Sequence, residues 1–400
     1  KDAEVLVYSS AINKDNTELI EAKKNKIPII KRAEMLGALI ALKETSIGVS
    51  GTHGKTSTSS MIGALLSFAK MDPTLVVGGL VKNLDSNSKL GAGDIIVVEA
   101  DEYDKSFLQL RPTIAVITNI EEEHMDCYED LNDLHNSFTQ FANSVPFYGR
   151  VVLCSDSAGA QKIIQKIKRP ITTYGFSKES TFSANNISYS EDKANYSLYH
   201  KGKKYGDIEI NVPGEHNILN SLAAIAVGSE LGLDMQTIIN GIMSYGGVRR
   251  RFEIKGTAQG VMVVDDYAHH PTEVTATLQA ARDGWSRRIV AVFQPHLFSR
   301  TKYFYKEFAA AFMNCDVLIV TDIYPAREKP INGVTAALII NAAKSAGHEN
   351  VFYINNLENL NNKLNNITQK NDMVITIGAG TIWRYGQKYF EYLLNKEKAA

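Results

Sequence analysis

The chain is poor in cysteine, nearly free of net charge, and without a long apolar run. Its three cysteines, Cys127, Cys154 and Cys315, are far apart and form no CxxC pair. That argues against a disulfide framework and for free thiols, used for packing, in a reducing compartment. Lys plus Arg total 43 against 44 for Asp plus Glu, so no global field marks nucleic acid or an anionic membrane as a partner. No apolar stretch approaches the roughly 18 residues of a membrane span, and the opening KDAEVLVYSS lacks a basic region followed by an apolar one. The expectation is a cytoplasmic protein with no membrane insertion. Internal repeats and low-complexity tracts are missing too. What remains is ordinary globular composition, 44% hydrophobic and 22% charged over 400 residues, enough chain for two or three domains.

The most informative stretch is TSIGVSGTHGKTST, residues 45–58. An apolar strand runs into a glycine-rich turn that ends in Lys55 and Thr56. Gly51, Thr52 and Gly54 shape a loop whose backbone N–H groups can close around phosphate oxygens. Lys55 can reach the terminal phosphates, the Thr56 hydroxyl suits Mg2+, and Ser57 follows in the first helical turn. A helix over roughly 56–69 aims its positive end at the same anion. Val49 stands where the usual nucleotide loop has glycine, so the match is to a shorter variant, GTHGKTS. A bare GKT also marks ordinary glycine turns; the strand before it and the helix after it favour a nucleotide.

Strand and helix signals alternate along the chain. Buried strands are expected at EVLVYS, IPII, SIGVS, DIIVVEA, TIAVITN and VVLCS, an α/β parallel-sheet rhythm. Asp130 caps an expected amphipathic helix to Val145, with Leu131, Leu134, Phe138 and Phe141 at three- and four-residue spacing. Between Ile171 and Pro213 short polar-flanked strands and the turn HKGKK predict an antiparallel insert. A helix resumes near His216, and a boundary falls near Gly247, before RRRFE. Further strands follow at VMVVDDY, RIVAVF, DVLIVT, VFYI and DMVITI. The asparagine-rich NNLENLNNKLNN reads as a polar helix face.

Two polar clusters lie where α/β sheets hold ligands, beyond the C-terminal ends of strands. Glu99, in VVEADEYD, is a candidate Mg2+ ligand, although an acidic run alone is more often a solvated loop. His124, in NIEEEHMD, leaves the next strand at the same edge. Alone it reads as structural; with Thr56 and Glu99 it completes a candidate metal site. His269, His270 and His296 invite a zinc reading, but adjacent histidines in a strand point to opposite faces.

At this point the sequence resembles the Mur ligases, ATP-dependent amide-forming enzymes of peptidoglycan precursor synthesis. The resemblance rests on GVSGTHGKTST, VVEADEYD, TNIEEEHMD, PGEHNILNSLAAIAV, GVRRRFE, VVDDYAHHPTEV, FQPHLFSRT and ITIGAGTIW, spread over nearly the whole chain. Within the family, DDYAHHPTEV and FQPHLFSRT are most similar to the branch that adds L-alanine to UDP-N-acetylmuramate. The resemblance implies an α/β, three-domain architecture. Residues 1–44 would be the remnant of a UDP-substrate domain whose glycine-rich beginning is absent. Residues 45–247 would form the central ATP-binding domain, a P-loop parallel sheet with the antiparallel insert. Residues 248–400 would form a Rossmann-like, amino-acid-binding domain.

The resemblance also assigns roles. Lys55 holds the β and γ phosphates of ATP; Thr56 and Glu99 hold one Mg2+, and His124 helps hold a second. Arg251, in RRRFE, reaches the γ-phosphate when the last domain closes. Asn217 and Asn220 match positions on the adenine side, where helix capping is the competing account, and Asp266 matches the ribose position. His269 and Arg300, with His296 close by, position the alanine. Arg300 is the expected carboxylate clamp because a guanidinium offers paired donors. Leu297 stands where some relatives carry a second arginine. His269 either accepts the amine proton or only positions the substrate. Three other readings stay open: a ligase that reattaches murein tripeptide, a folylpolyglutamate synthetase, and a nucleotide-dependent switch.

Overall fold

The structure is a computed structural model that describes residues 3–82, 86–123, 125 and 127–399. It falls into two compact units. One holds the chain up to Ile187 with Asn195–Ile210 and Asn217–Gly247; the other holds Ser188–Ala194, Asn211–His216 and the chain from Val248 onward.

The first unit is built on a ten-stranded sheet. From one edge its order is Lys203–Ile210, Lys193–His200, Phe182–Ser190, Ile171–Gly175, Arg150–Cys154, Ile114–Ile117, Thr45–Ser50, Ile95–Glu99, Thr74–Val81 and Ser86–Lys89. The pairings from Phe182–Ser190 across to Thr74–Val81 are parallel, and Ser86–Lys89 closes that edge antiparallel. At the other edge, neighbouring strands are joined by only two residues, 191–192 and 201–202. So short a link can only reverse the chain, which is the expected antiparallel insert with its turn at HKGKK. The strand Thr45–Ser50 sits inside the sheet with all but its first residue buried, and its last residue delivers the glycine loop to the C-terminal edge. Strands Thr74–Val81 and Ser86–Lys89 were not expected: their Gly, Lys and Ser residues break the apolar runs that mark buried strands.

Helix Leu131–Ser144 forms as its periodicity requires, with the Asp130 side chain accepting from the Asp133 N–H. Its buried stripe, Leu134, Phe138 and Phe141, meets Phe107. Phe107 lies edge-on to Phe138 and stacked on Phe141, both at 5.1 Å between ring centroids. Burying such a ring contributes about 2–3 kcal/mol, and Phe107 follows the acidic segment after Glu99, so this packing anchors that segment to the core.

The second unit is a six-stranded sheet ordered Glu253–Ala258, Val261–Asp266, Asp372–Ile377, Arg288–Phe293, Val317–Thr321, Val351–Ile354. Only the first pair is antiparallel. Along Arg288–Phe293, Ile289, Ala291 and Phe293 enter one core while Val290 and Val292 enter the core on the opposite face. The period of two, apolar on both sides, is what a covered parallel strand requires. The asparagine-rich segment is the helix Leu360–Ile367, polar except for Leu360 and Leu364, which are fully buried, and the partly buried Ile367 at its end. Cys154 and Cys315 are buried free thiols, raised by burial to about 11 and about 12, and Cys127 is half-buried. No helix among the described residues is long and apolar enough to cross a membrane.

Candidate active site

In the first unit the glycine loop is held by the neighbouring strand end. Thr52 N donates to Asn119 O at 3.1 Å and Glu121 N to Thr52 Oγ1 at 2.9 Å. His53 N donates to Asn119 Oδ1 at 2.8 Å, and the His53 carbonyl accepts from Asn119 Nδ2 at 3.0 Å and Thr118 Oγ1 at 2.6 Å. Gly51 and Gly54 sit at φ 136° and 84°, where side chains are strained. A Cβ at Gly54 would lie 2.7 Å from Asn220 Oδ1, and one at Gly51 2.0 Å from Thr118 Oγ1. Two glycines therefore keep the cradle open, and helix Lys55–Phe68 starts directly after Gly54. The loop meets the requirements of a phosphate site.

Lys55 turns back over this loop. Its Nζ donates to Gly51 O at 2.7 Å, to Thr52 O at 3.1 Å and to both Glu102 oxygens at 2.8 and 2.9 Å. Burial opposes its charge, but Glu102, with Asp101 beyond it, outweighs that and raises the ammonium above its ordinary value. Burial also pushes the Glu102 carboxyl up to about 7, with Lys55 pulling the other way. Glu102 was not singled out in the sequence. The run EADEYD contains it, but its direction follows from the turn after the strand, not from the strand's alternation.

Glu99 ends its strand opposite Val49, two residues before Gly51, and its Oε1 accepts from Gly78 N at 2.5 Å. Thr56 and Ser57 are buried in the first helical turn. A hydroxyl and a carboxylate are the hard oxygen donors that Mg2+ prefers, so these residues fit that ion. His124 lies outside the described residues. Asn217 and Asn220 are both buried, and helix Glu215–Glu230 begins before either of them. Asn220 Oδ1 accepts from Thr58 Oγ1 at 3.0 Å, and its amide donates to Asn217 Oδ1 at 3.2 Å. Neither asparagine precedes the helix as a cap, and Asn220 lies against the loop at Gly54.

In the second unit, His269 and His270 lie not in a strand but in the turn that enters helix Pro271–Gly284. Glu273, unnoticed in the sequence, organises this turn. Its Oε2 accepts from His269 N at 3.0 Å and His270 N at 3.3 Å, and it lies 3.2 Å from His269 Nδ1 and, through Oε1, 3.7 Å from Arg251. The sequence H-P-T-E carries the capping-box spacing that would have found it. The rings of His269 and His296 are 5.9 Å apart, whereas His270 packs edge-on to Phe304. Arg300 NH1 approaches His296 Nδ1 at 3.3 Å. Burial, then His269 and Arg300, depress His296 to about 3, which leaves its Nδ1 an acceptor for the guanidinium. His269, His296 and Arg300 are thus brought together.

Asp266 is more tightly engaged than a bare ribose contact requires. Its oxygens accept from Phe252 N at 2.6 Å and Ala268 N at 2.7 Å, and burial raises it to about 6 against the pull of Arg251. It thereby braces the RRRFE turn, where Arg250 and Phe252 on either side of Arg251 both have positive φ, 61° and 43°.

Comparisons with known proteins match the chain in three stretches. Residues 1–44 match a model of the Mur ligase family catalytic domain, 49–228 the Mur ligase middle domain, and 250–380 the Mur ligase glutamate ligase domain. The UDP-N-acetylmuramate–L-alanine ligase of Salinibacter ruber is 47% identical over 395 residues, covering 98% of this chain and 83% of that protein. That of Geotalea daltonii is 46% identical over 391 residues, covering 98% and 85%. Among solved structures, the UDP-N-acetylmuramate–alanine ligase of Thermotoga maritima superposes with a TM-score of 0.85 at 27% identity, over 99% of this chain and 86% of that one. A murein peptide ligase from Psychrobacter arcticus shares the fold, with a TM-score of 0.69 at 22% identity over 98% and 86%.

Proposed function

Because the chain belongs to the Mur ligase family, we propose that it joins L-alanine to the carboxylate of UDP-N-acetylmuramate with ATP. The observation that carries this reading is the 46–47% identity, over 98% of the chain, to proteins named for that reaction.

A carboxylate does not condense with an amine in water unless it is activated. In the proposed reaction the muramoyl carboxylate attacks the γ-phosphorus of ATP, ADP leaves, and an acyl phosphate forms. The alanine amine then adds to the acyl carbon, loses a proton, and the tetrahedral intermediate expels inorganic phosphate. The first step sets a carboxylate against a polyanion: two like unit charges about 4 Å apart repel by about 4 kcal/mol at an effective dielectric near 20.

The residues assigned to this task offer the opposite charge. Lys55, kept protonated, is the cation of the phosphate loop, and helix Lys55–Phe68 sets its N-terminal N–H groups beside it. Thr56 and Glu99, with His124 for a second ion, would hold Mg2+, which supplies further positive charge to the phosphates. We assign Asn217, Asn220, Arg251 and Asp266 to ATP by their motifs. Support for Asn220 is its contact with the loop helix at Thr58.

For the amino acid, Arg300 is assigned as the carboxylate clamp. A neutral His296 adds no competing charge beside it and fixes one face of the guanidinium. His269, oriented by Glu273, is assigned to accept the proton the amine releases. A coupled phosphate-release assay with ATP, Mg2+ and UDP-N-acetylmuramate, scanning amino acids and murein tripeptide, tests the reading. Release should require UDP-N-acetylmuramate and be strongest with alanine. Release that ignores the amine, or that only tripeptide supports, refutes it.

A further inference from the structure

We propose that Glu102 is a positioning residue that holds Lys55 against the loop carbonyls and must release it before the lysine can serve a phosphate. An ammonium has three hydrogens to donate. Those of Lys55 are directed to Gly51 O, Thr52 O and the Glu102 carboxylate. A phosphate is therefore taken up by exchange. The contact that yields is the carboxylate, because it alone carries the same charge as the incoming ligand, and it sits in a buried setting that strengthens the repulsion between them. The Glu102 side chain is 2% exposed and that of Lys55 16%.

The carboxylate does not meet the lysine by chance of rotamer. The Glu102 carbonyl accepts from Tyr128 Oη at 2.6 Å and from Lys105 N at 3.0 Å. Lys105 reaches both Asp133 oxygens at 2.7 and 2.9 Å and lies 5.3 Å over the Tyr128 ring. Asp104 and Lys105 hold φ values of 55° and 53°, a left-handed pair that side chains adopt only where their surroundings enforce it. The backbone of the segment is thus pinned and Phe107 is locked in the core, so release is a change of the Glu102 side-chain rotamer. The site would then be charge-balanced before nucleotide arrives, with selectivity for a ligand anionic enough to displace a carboxylate.

This inference rests on the nucleotide reading of the loop. It is tested by calorimetric titration of the full chain with ADP and Mg2+, as wild type, Glu102→Gln, Lys55→Ala and the double variant. Glu102→Gln should bind ADP roughly tenfold tighter, the effect of removing one competing charge-assisted hydrogen bond. That gain should collapse on the Lys55→Ala background. Unchanged or weaker binding by Glu102→Gln overturns the proposal, as does an equal gain on both backgrounds, which would mark plain repulsion between Glu102 and phosphate. A wild-type chain that binds no ADP overturns the nucleotide reading itself, a different failure. Should Glu102→Gln not fold, lysine ζ-15N spectra of the wild type serve instead. One ammonium shielded from exchange should shift when ADP is added, and a spectrum with no shielded ammonium overturns the proposal.

Discussion

Gly51→Ala is the sharpest perturbation of the phosphate loop, and its cost can be worked from the geometry. At φ 136° the position lies where only glycine is at ease, and a side chain there costs about 1–3 kcal/mol. The new Cβ would lie 2.0 Å from Thr118 Oγ1 and 3.0 Å from both N and O of Asn119. Thr118 cannot turn away freely, since its hydroxyl donates to His53 O at 2.6 Å, with Ser50 O at 3.3 Å. Breaking that tie adds about 1–2 kcal/mol, for a total of roughly 2–5 kcal/mol. A domain has about 5–15 kcal/mol to lose, so the variant should fold with a clearly lower denaturation midpoint and bind nucleotide far more weakly. Urea titration followed by circular dichroism, with ADP titration beside it, makes the measurement. Gly51→Ala/Thr118→Ala removes the oxygen in conflict but not the backbone strain, and should recover part of the loss. A single variant within about 1 kcal/mol of wild type, or a double variant no better than the single, would refute the reasoning.

Arg300→Lys keeps the charge but removes the fork; alanine KM should rise about tenfold or more, since a charged hydrogen bond contributes roughly 1.5–3 kcal/mol, with a smaller change in kcat. An unchanged alanine KM would show that another group holds the carboxylate. His296, depressed to about 3, should stay neutral at all ordinary pH, and long-range 15N spectra of its imidazole should show no titration between pH 5 and 8. The sign for stability follows: its folded pKa lies below the unfolded value of about 6.5. As pH falls below that value only the unfolded chain takes up the proton, and His296 withdraws stability from there down towards about 3. Phe107→Ala should cost about 3–5 kcal/mol, read from urea denaturation, because the ring anchors the segment after Glu99 to the core; a variant within about 1 kcal/mol of wild type would refute that anchoring.

How far each part of the site could be read in advance depends on how local its causes are. The glycine loop was legible because strand, positive-φ glycines, lysine and helix start are contiguous, and each follows from its own residues. The place of Glu99 was legible because it ends a buried strand, and strand ends meet at one edge of a parallel sheet. Glu102, three residues on, is aimed by two left-handed residues, Asp104 and Lys105. Those are enforced by Tyr128, Asp133 and the Phe107 core, from segments further along the chain. No window around EADEYD contains those causes, and a solvated acidic loop was the natural reading of it. Glu273 is the opposite case: its spacing from His270 is a capping signal contained in four residues, and it is legible without the fold. Asp266 shows a third kind. Its motif pointed to a ligand, yet its shortest contacts are to the backbone of Phe252 and Ala268. The strained turn around Arg251 explains why: the departures from ordinary φ at Arg250 and Phe252 persist only where buried acceptors hold the chain in place, and Asp266 supplies them. Residues that orient a site are therefore harder to read than those expected to touch its ligands, because their partners are distant backbone groups that no motif records.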